Sequence, residues 1–311
     1  MNVTYKVSLA GLSGEKALAP VSVRAFLRQK CGFSHGLWRR LKWNGTLLVN
    51  GEEVRATTAV VRDGDVVTCR IAESSSLVAA PMPLDIRYED EYMIVLNKPA
   101  GVLVHPTGGD YDNTLGNGLL HYYRRTGQEI DFHPVHRLDR NTTGLVLVAK
   151  QPQLQNALTQ GNGGKFFHRS YVAVIEGEMP SPAGTIDLPI ARHPESIIQR
   201  ICSPEGQVAV THYRTLARRG GRSLLWLELE TGRTHQIRVH LAAMGHPLPG
   251  DDLYGGDTSV MKRQALHAVH LEAENPLTGE SISIYSDVPR DMQDLFWQCR
   301  GKISAVQVLL M

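Results

Sequence analysis

The chain has 311 residues, 42% of them hydrophobic and 21% charged, enough apolar material for one large domain or two ordinary ones and too much for a disordered chain. No run of about 18 apolar residues occurs, and the N-terminus lacks the basic start and apolar core of a secretory leader, so neither a membrane span nor export is expected. The formal net charge is only +2, but residues 1–73 hold 11 Lys and Arg against 6 Asp and Glu, a surplus of +5 that leaves −3 for the rest and suggests a polyanion-binding module joined to a near-neutral body.

Taken in chain order, Ser22 is placed to cap a helix that runs to Cys31 and is stopped by Gly32. Arg24 and Arg28, four apart, share its outer face while Phe26 and Leu27 turn inward. Ser34 opens a second helix through Lys42, presenting Arg39, Arg40 and Lys42. Residues 47–54 form a hairpin around Asn50-Gly51, and Asp63-Gly64-Asp65 turns into a strand at 66–71. Residues 74–84, rich in Ser, Ala and Pro and without periodicity, are the expected linker between a module at 1–73 and a larger domain at 85–298. In that domain a buried strand at 92–96 ends in Lys98-Pro99-Ala100-Gly101, and helices are expected at 114–125, ending near Gly127, and at 151–160, with Pro152 in its first turn. Strands follow at 171–175 and 224–229, and Ile237, Leu241 and Met244 share one helical face. The pattern is α+β, with a tail at 299–311. Four dispersed cysteines (Cys31, Cys69, Cys202 and Cys299) read as free thiols of a reducing, cytoplasmic compartment.

The densest chemistry lies in His136-Arg137-Leu138-Asp139-Arg140, followed by Asn141-Thr142-Thr143-Gly144 and the apolar run 145–149. A carboxylate flanked by guanidinium groups stays ionised, and so is equipped to act as nucleophile or electrostatic stabiliser. On a turn the same triplet also describes a plain surface ion pair.

The run resembles the signature of the RluA-type pseudouridine synthases, which isomerise uridine in RNA. Arg169-Ser170-Tyr171-Val172-Ala173-Val174-Ile175-Glu176-Gly177 is similar to that family's second block, and Gly232-Arg233-Thr234-His235-Gln236-Ile237-Arg238-Val239-His240 to its third. Gly245-His246-Pro247, with Gly250-Asp251-Asp252-Leu253-Tyr254-Gly255, and Leu266-His267-Ala268 are similar to its closing segments. Five blocks thus fall in order over roughly residues 85–290.

The resemblance implies a mixed or antiparallel-sheet catalytic domain that needs neither cofactor nor metal. It makes Asp139 the catalytic carboxylate, compatible with attack on the sugar carbon, attack on the ring, or removal of a sugar proton. It pairs Arg238 with Asp139, stacks Tyr171 on the uracil as a suspected base, and inserts Arg137 where the target base leaves the helix. Flipping a base costs a few kcal/mol, and a planar guanidinium can fill the gap by stacking. His136 and Arg140 orient the loop or contact phosphate. Two departures stand out: Thr143 where the family commonly has Ser, and His168 or Arg169 where its second block begins with Lys.

The N-terminal region resembles, over about 55 residues, the αL RNA-binding module named after a small-subunit ribosomal protein, although His35-Gly36-Leu37 departs from its usual Ser-Arg start. Arg24, Arg28, Arg39, Arg40 and Lys42 are its expected RNA contacts. The expected partner is ribosomal or transfer RNA, and a monomer is favoured.

Other chemistries have less behind them. The pairs His133/His136 and His267/His270 have no cysteine nearby to complete a zinc set. Residues 108–113 hint at a calcium turn without the distal Glu and read as an exposed loop. No P-loop, GxGxxG or GxSxG motif is present. A paired-carboxylate glycosidase would need a second acid, for which Asp251 or Asp252 would have to approach Asp139 in space. A non-catalytic RNA binder would ignore loss of Asp139.

Overall fold

The computed structural model describes residues 2–10, 19–71, 77–106, 112–160 and 166–297. The N-terminal part contains β1 (Asn2–Lys6), β2 (Val21–Ser22), α1 (Val23–Gln29), α2 (His35–Asn44), β3 (Gly45–Val49), β4 (Glu52–Glu53), β5 (Val60–Val61) and β6 (Val66–Ile71). Both helices begin where a serine can accept an orphan N–H: Ser22 Oγ from Ala25 at 3.2 Å, and Ser34 Oγ from Leu37 at 3.0 Å. The first helix ends at Gln29, two residues short of the expected Cys31, because the chain turns at Gly32 (φ 69) and Phe33 N–H closes back on Leu27 O. The second runs two residues beyond Lys42. Asn50 and Gly51 both have positive φ, the geometry of a tight hairpin turn matched to strand twist. An antiparallel sheet in the order β1-β6-β3-β4 and the two helices enclose a core of their own, built on Phe26, Leu27, Phe33, Trp38, Leu41 and Val67.

The expected linker is in part a packed segment. Residues 72–76 lie outside the described ones, but Leu77 is buried in the large domain's core and Ala80 N–H reaches Asn117 O. Asn117 in turn donates to Val78 O at 2.6 Å. The Ser-Ala-Pro composition concealed this because Leu77 and Met82 fill space left by Gly116 and Gly118 of the helix below.

The large domain contains β7 (Ile86–Glu89), β8 (Met93–Lys98), α3 (Leu115–Arg125), β9 (His133–Pro134), β10 (Thr143–Ala149), α4 (Pro152–Gln160), β11 (Phe167–Glu176), β12 (Ala183–Asp187), β13 (Ile190–Arg192), β14 (Arg200–Cys202), β15 (Val210–Arg219), β16 (Arg222–Leu229), α5 (Gln236–Ala243), β17 (Leu266–Glu274), β18 (Ser281–Tyr285) and α6 (Arg290–Trp297). Its sheet runs β12-β15-β16-β11-β17-β10-β8-β7, with β18 on β17 and β9 on β10. Among the strands described, β10 and β17 pair in parallel and the other sheet neighbours antiparallel. The sheet is therefore mixed.

Every residue of β10 is buried, as expected of a strand covered on both faces. Val146 and Val148 face a core shared with α3 and α5, and Leu145 and Leu147 one shared with α4. The alternate residues of β11 and β16 pack under α6. The N-terminal part rests on α4, where Asn156 donates to Gly32 O at 2.7 Å.

Candidate active site

The loop carrying Asp139 leads into β10 and is fastened from several sides. Thr142 N–H turns back to Asp139 O at 3.1 Å. The ammonium of Lys98, wholly buried at the end of β8, donates to three backbone carbonyls: Pro99, Val102 and Arg140. Burial pushes that ammonium down to about 7, against the pull of the Asp139 charge. Gln264 donates to Thr142 Oγ1, and Thr143 Oγ1 meets His267 Nδ1 at 2.8 Å. At the base of the loop, Gly144 has φ 113 and lies against β17 so closely that a Cβ would stand 2.2 Å from Ala268 O. Only glycine fits there.

Asp139 thereby projects into a cleft of about 1460 Å³, lined also by Arg137, Arg169, Tyr171, His235 and Arg238. Arg238, buried on the first turn of α5, donates through Nη1 to Asp139 Oδ2 at 3.1 Å. Its other edge forms a fork with Asp251, Nε to Oδ2 and Nη2 to Oδ1, both at 2.8 Å. Asp251 is fully buried. One guanidinium thus serves two carboxylates, which hold it charged against the cost of burial. With both oxygens engaged and no exposure, Asp251 is not the free second acid a glycosidase would need. Asp252 lies exposed at the cleft wall.

Tyr171 enters from β11 at a point where the register with β17 slips between Ser170 and Tyr171, a bulge that re-aims the side chain. It is buried, and burial raises its hydroxyl above the usual phenol range, a shift opposed by the charge and hydrogen bond of Arg169. Arg169 lies over the Phe167 ring and reaches into space that the absence of a side chain at Gly232 leaves open.

His235 precedes α5 in the left-handed region (φ 59, ψ 17). Its Nδ1 lies 2.8 Å from Tyr254 Oη, and its Nε2 stands 3.9 Å from Asp139 Oδ1. Tyr254 Oη accepts from Arg200 N–H, and the Tyr254 ring lies beneath the Arg238 guanidinium. Burial lowers the His235 imidazole while Asp139 pulls it up.

The structure therefore brings Asp139, Tyr171 and Arg238 together, although they come from three separate parts of the chain. Arg137 is exposed on the cleft wall, and Arg140, also exposed there, donates to Gly101 O. His136 is buried with Nε2 accepting the Leu147 N–H at 3.1 Å, so it braces the loop against β10. Arg24, Arg28, Arg39 and Arg40 are exposed on the N-terminal part and do not line the cleft. Lys42 is half-buried, its ammonium over the Trp43 ring.

Sequence reasoning passed over Lys98, His235 and the pairing of Asp251 with Arg238. The Asn-Lys-Pro run and the position of His235 inside the third block were the available signals. No group of three or more His, Cys, Asp or Glu placed to share a metal occurs among the described residues. The expected loop at 108–113 falls largely outside them, as does the tail at 299–311.

Comparison with known proteins bears on this cleft. Residues 92–243 match the family described as RNA pseudouridylate synthase. The chain is 42% identical over 268 residues to the Uncharacterized RNA pseudouridine synthase YjbO of Bacillus subtilis, covering 85% of this chain and 94% of that protein. It is 41% identical over 268 residues to the Ribosomal large subunit pseudouridine synthase D of Xanthomonas campestris, covering 81% and 80%. Among solved structures, Human RNA Pseudouridylate Synthase Domain Containing 1 shares the fold, with a TM-score of 0.57 and 23% identity over 77% of this chain and 96% of that one.

Proposed function

This chain belongs to the RNA pseudouridylate synthase family, and on that premise we propose that Asp139 is the carboxylate through which it converts uridine to pseudouridine in structured RNA. The observation that carries the reading is the Asp139–Arg238–Asp251 cluster on the wall of a deep cleft. The reaction must break the N-glycosidic bond, turn the uracil and rejoin it through C5. Once a nucleotide fills the cleft, water is excluded and an unpaired carboxylate would tend to take up a proton. Arg238 gives Asp139 a charged partner there, and Asp251 keeps Arg238 in place. Tyr171 supplies an apolar face for the uracil, its hydroxyl protonated. Arg137, exposed at the cleft wall, would enter the RNA stack as the base departs.

The relatives' names point to large-subunit ribosomal RNA as the first substrate to test. The exposed arginines of the N-terminal part would hold phosphates at a distance from the reacting base. Residues 1–73 then act as an RNA-gripping module and residues 85–298 as the catalytic domain. Pseudouridine mapping of RNA from cells with and without the gene tests this directly. Sites that vanish on deletion should return with wild type and not with Asp139→Asn; full restoration by Asp139→Asn would end the assignment.

A further inference from the structure

Isomerisation leaves one proton to be moved. When C5 bonds to the sugar carbon it still carries its hydrogen; the C5–H bond must break, its electron pair restoring the ring double bond, while N1 gains a proton. The exchange is neutral overall and needs no co-reactant, but it needs a base beside the newly formed bond. Tyr171 is poorly suited, because burial holds its hydroxyl protonated. Arg238 has no lone pair to offer and is locked by two carboxylates. Of the other cleft histidines, His136 has its Nε2 taken by Leu147 N–H, His212 sits between Thr185 and Glu230 with both ring nitrogens engaged, His105 stacks on Phe132 with Nδ1 3.2 Å from Pro106 O, and His168 is exposed on β11.

His235 differs from these. We propose that His235, through Nε2, is the base that removes the C5 proton, an assignment that rests on Asp139 being the catalytic carboxylate. Its Nε2 faces Asp139 Oδ1 across 3.9 Å, too far for a hydrogen bond and close enough for both atoms to border one reacting centre. In the tautomer whose Nδ1–H donates to Tyr254 Oη, 2.8 Å away, the Nε2 lone pair faces the cleft. The ring is set there by backbone in the left-handed region, which among the described non-glycine residues is shared only by Asn50 of the hairpin turn. Such strain persists where surrounding structure imposes it, and it concentrates at functional sites. The charged and titratable groups facing the imidazole are Asp139 from the catalytic loop, Arg238 from its own helix, Arg200 from β14, and Asp251 and Tyr254 from the segment after α5. Burial outweighs the carboxylates and favours the neutral ring, the form a base requires.

The test is single-turnover kinetics on RNA carrying either uridine or 5-deuterouridine at the target. His235→Asn keeps a residue type that tolerates the left-handed backbone and can still meet Tyr254, so folding and RNA affinity should hold. Its rate should fall by roughly 10²–10⁴-fold, with a deuterium effect larger than in wild type and the acid limb of the pH profile gone. His235→Gly, equally free in that backbone, should recover rate when imidazole is added. A rate for His235→Asn near wild type, or a slower rate with an unchanged isotope effect and no rescue of His235→Gly, would overturn the proposal. Asp139→Asn run alongside separates the two claims: if it turns over normally, the reading of the site fails and the base falls with it. If it is inactive while His235→Asn is normal, the base alone is wrong.

Discussion

At the scale of single residues, the cleft is governed by how few partners each buried charge has. Arg238 bridges Asp139 and the fully buried Asp251, so removing it strands two carboxylates at once. Truncating one partner of a buried pair typically costs about 3–5 kcal/mol. Arg238→Met should therefore lower stability by that order in urea unfolding, whereas Asp139→Asn leaves the Arg238–Asp251 fork intact and should cost much less. Equal costs for the two variants would show that the fork carries little stability.

Two of the most deeply buried histidines contribute to the acid limit. Burial drives the His267 imidazole down to about 3, and it holds the buried His136 well below its ordinary value of about 6.5. Between those values the unfolded chain binds protons the folded chain refuses, so the stability these two groups contribute is complete above about pH 6.5 and declines as pH falls toward 3. Unfolding free energies measured from pH 7.5 to 4 should show that slope, and replacing His267 by Gln should flatten it.

At the scale of elements, the loop carrying Asp139 is aimed by the short parallel pairing of β10 with β17. Gly144 makes that pairing possible, since a Cβ there would overlap Ala268 O and meet an unfavourable φ besides. Gly144→Ala should destabilise the domain by about 2 kcal/mol or more and lower turnover without changing RNA affinity. A stable, active Gly144→Ala enzyme would mean the strands can separate without moving Asp139. In the N-terminal part, α1 and α2 stand with capped ends and exposed arginines. Replacing Arg39 and Arg40 by Ala in the full chain should weaken RNA binding, and the slope of log affinity against log salt should fall by about 0.7–0.9 for each phosphate that is no longer neutralised. An unchanged slope would place the RNA elsewhere on the molecule.

At the scale of the whole molecule, two cores of different size share one chain, and the smaller leans on α4 through Asn156 and Gly32. This arrangement separates the exposed arginines of the N-terminal part from a cleft where charge is paired and buried. The expected linker contributes to the larger core through Leu77, so the join between the parts is tighter on its C-terminal side than its composition implies.

Local chemistry was legible in the sequence because it is written over a few neighbouring residues. Ser22 and Ser34 announce the helix starts, Asn50-Gly51 the hairpin, and Thr114 with Gly127 the two ends of α3. Continuous apolar runs rich in branched and aromatic residues mark the central strands. The ordered blocks around Asp139, Tyr171 and Arg238 pointed to the family, and with it to the reaction. Which groups meet across the sheet was decided only by tertiary structure. Asp251 reads as one of a pair of acids until the fold seals it against Arg238, and Lys98 as an ordinary turn residue until it closes on three carbonyls. His235 reads as one histidine among thirteen until a left-handed backbone turns its ring toward a carboxylate 96 positions earlier in the chain. The physical reason is that caps, turns and periodicity act over one or two turns of chain, whereas burial, desolvation and charge pairing depend on distances set by strand order and register.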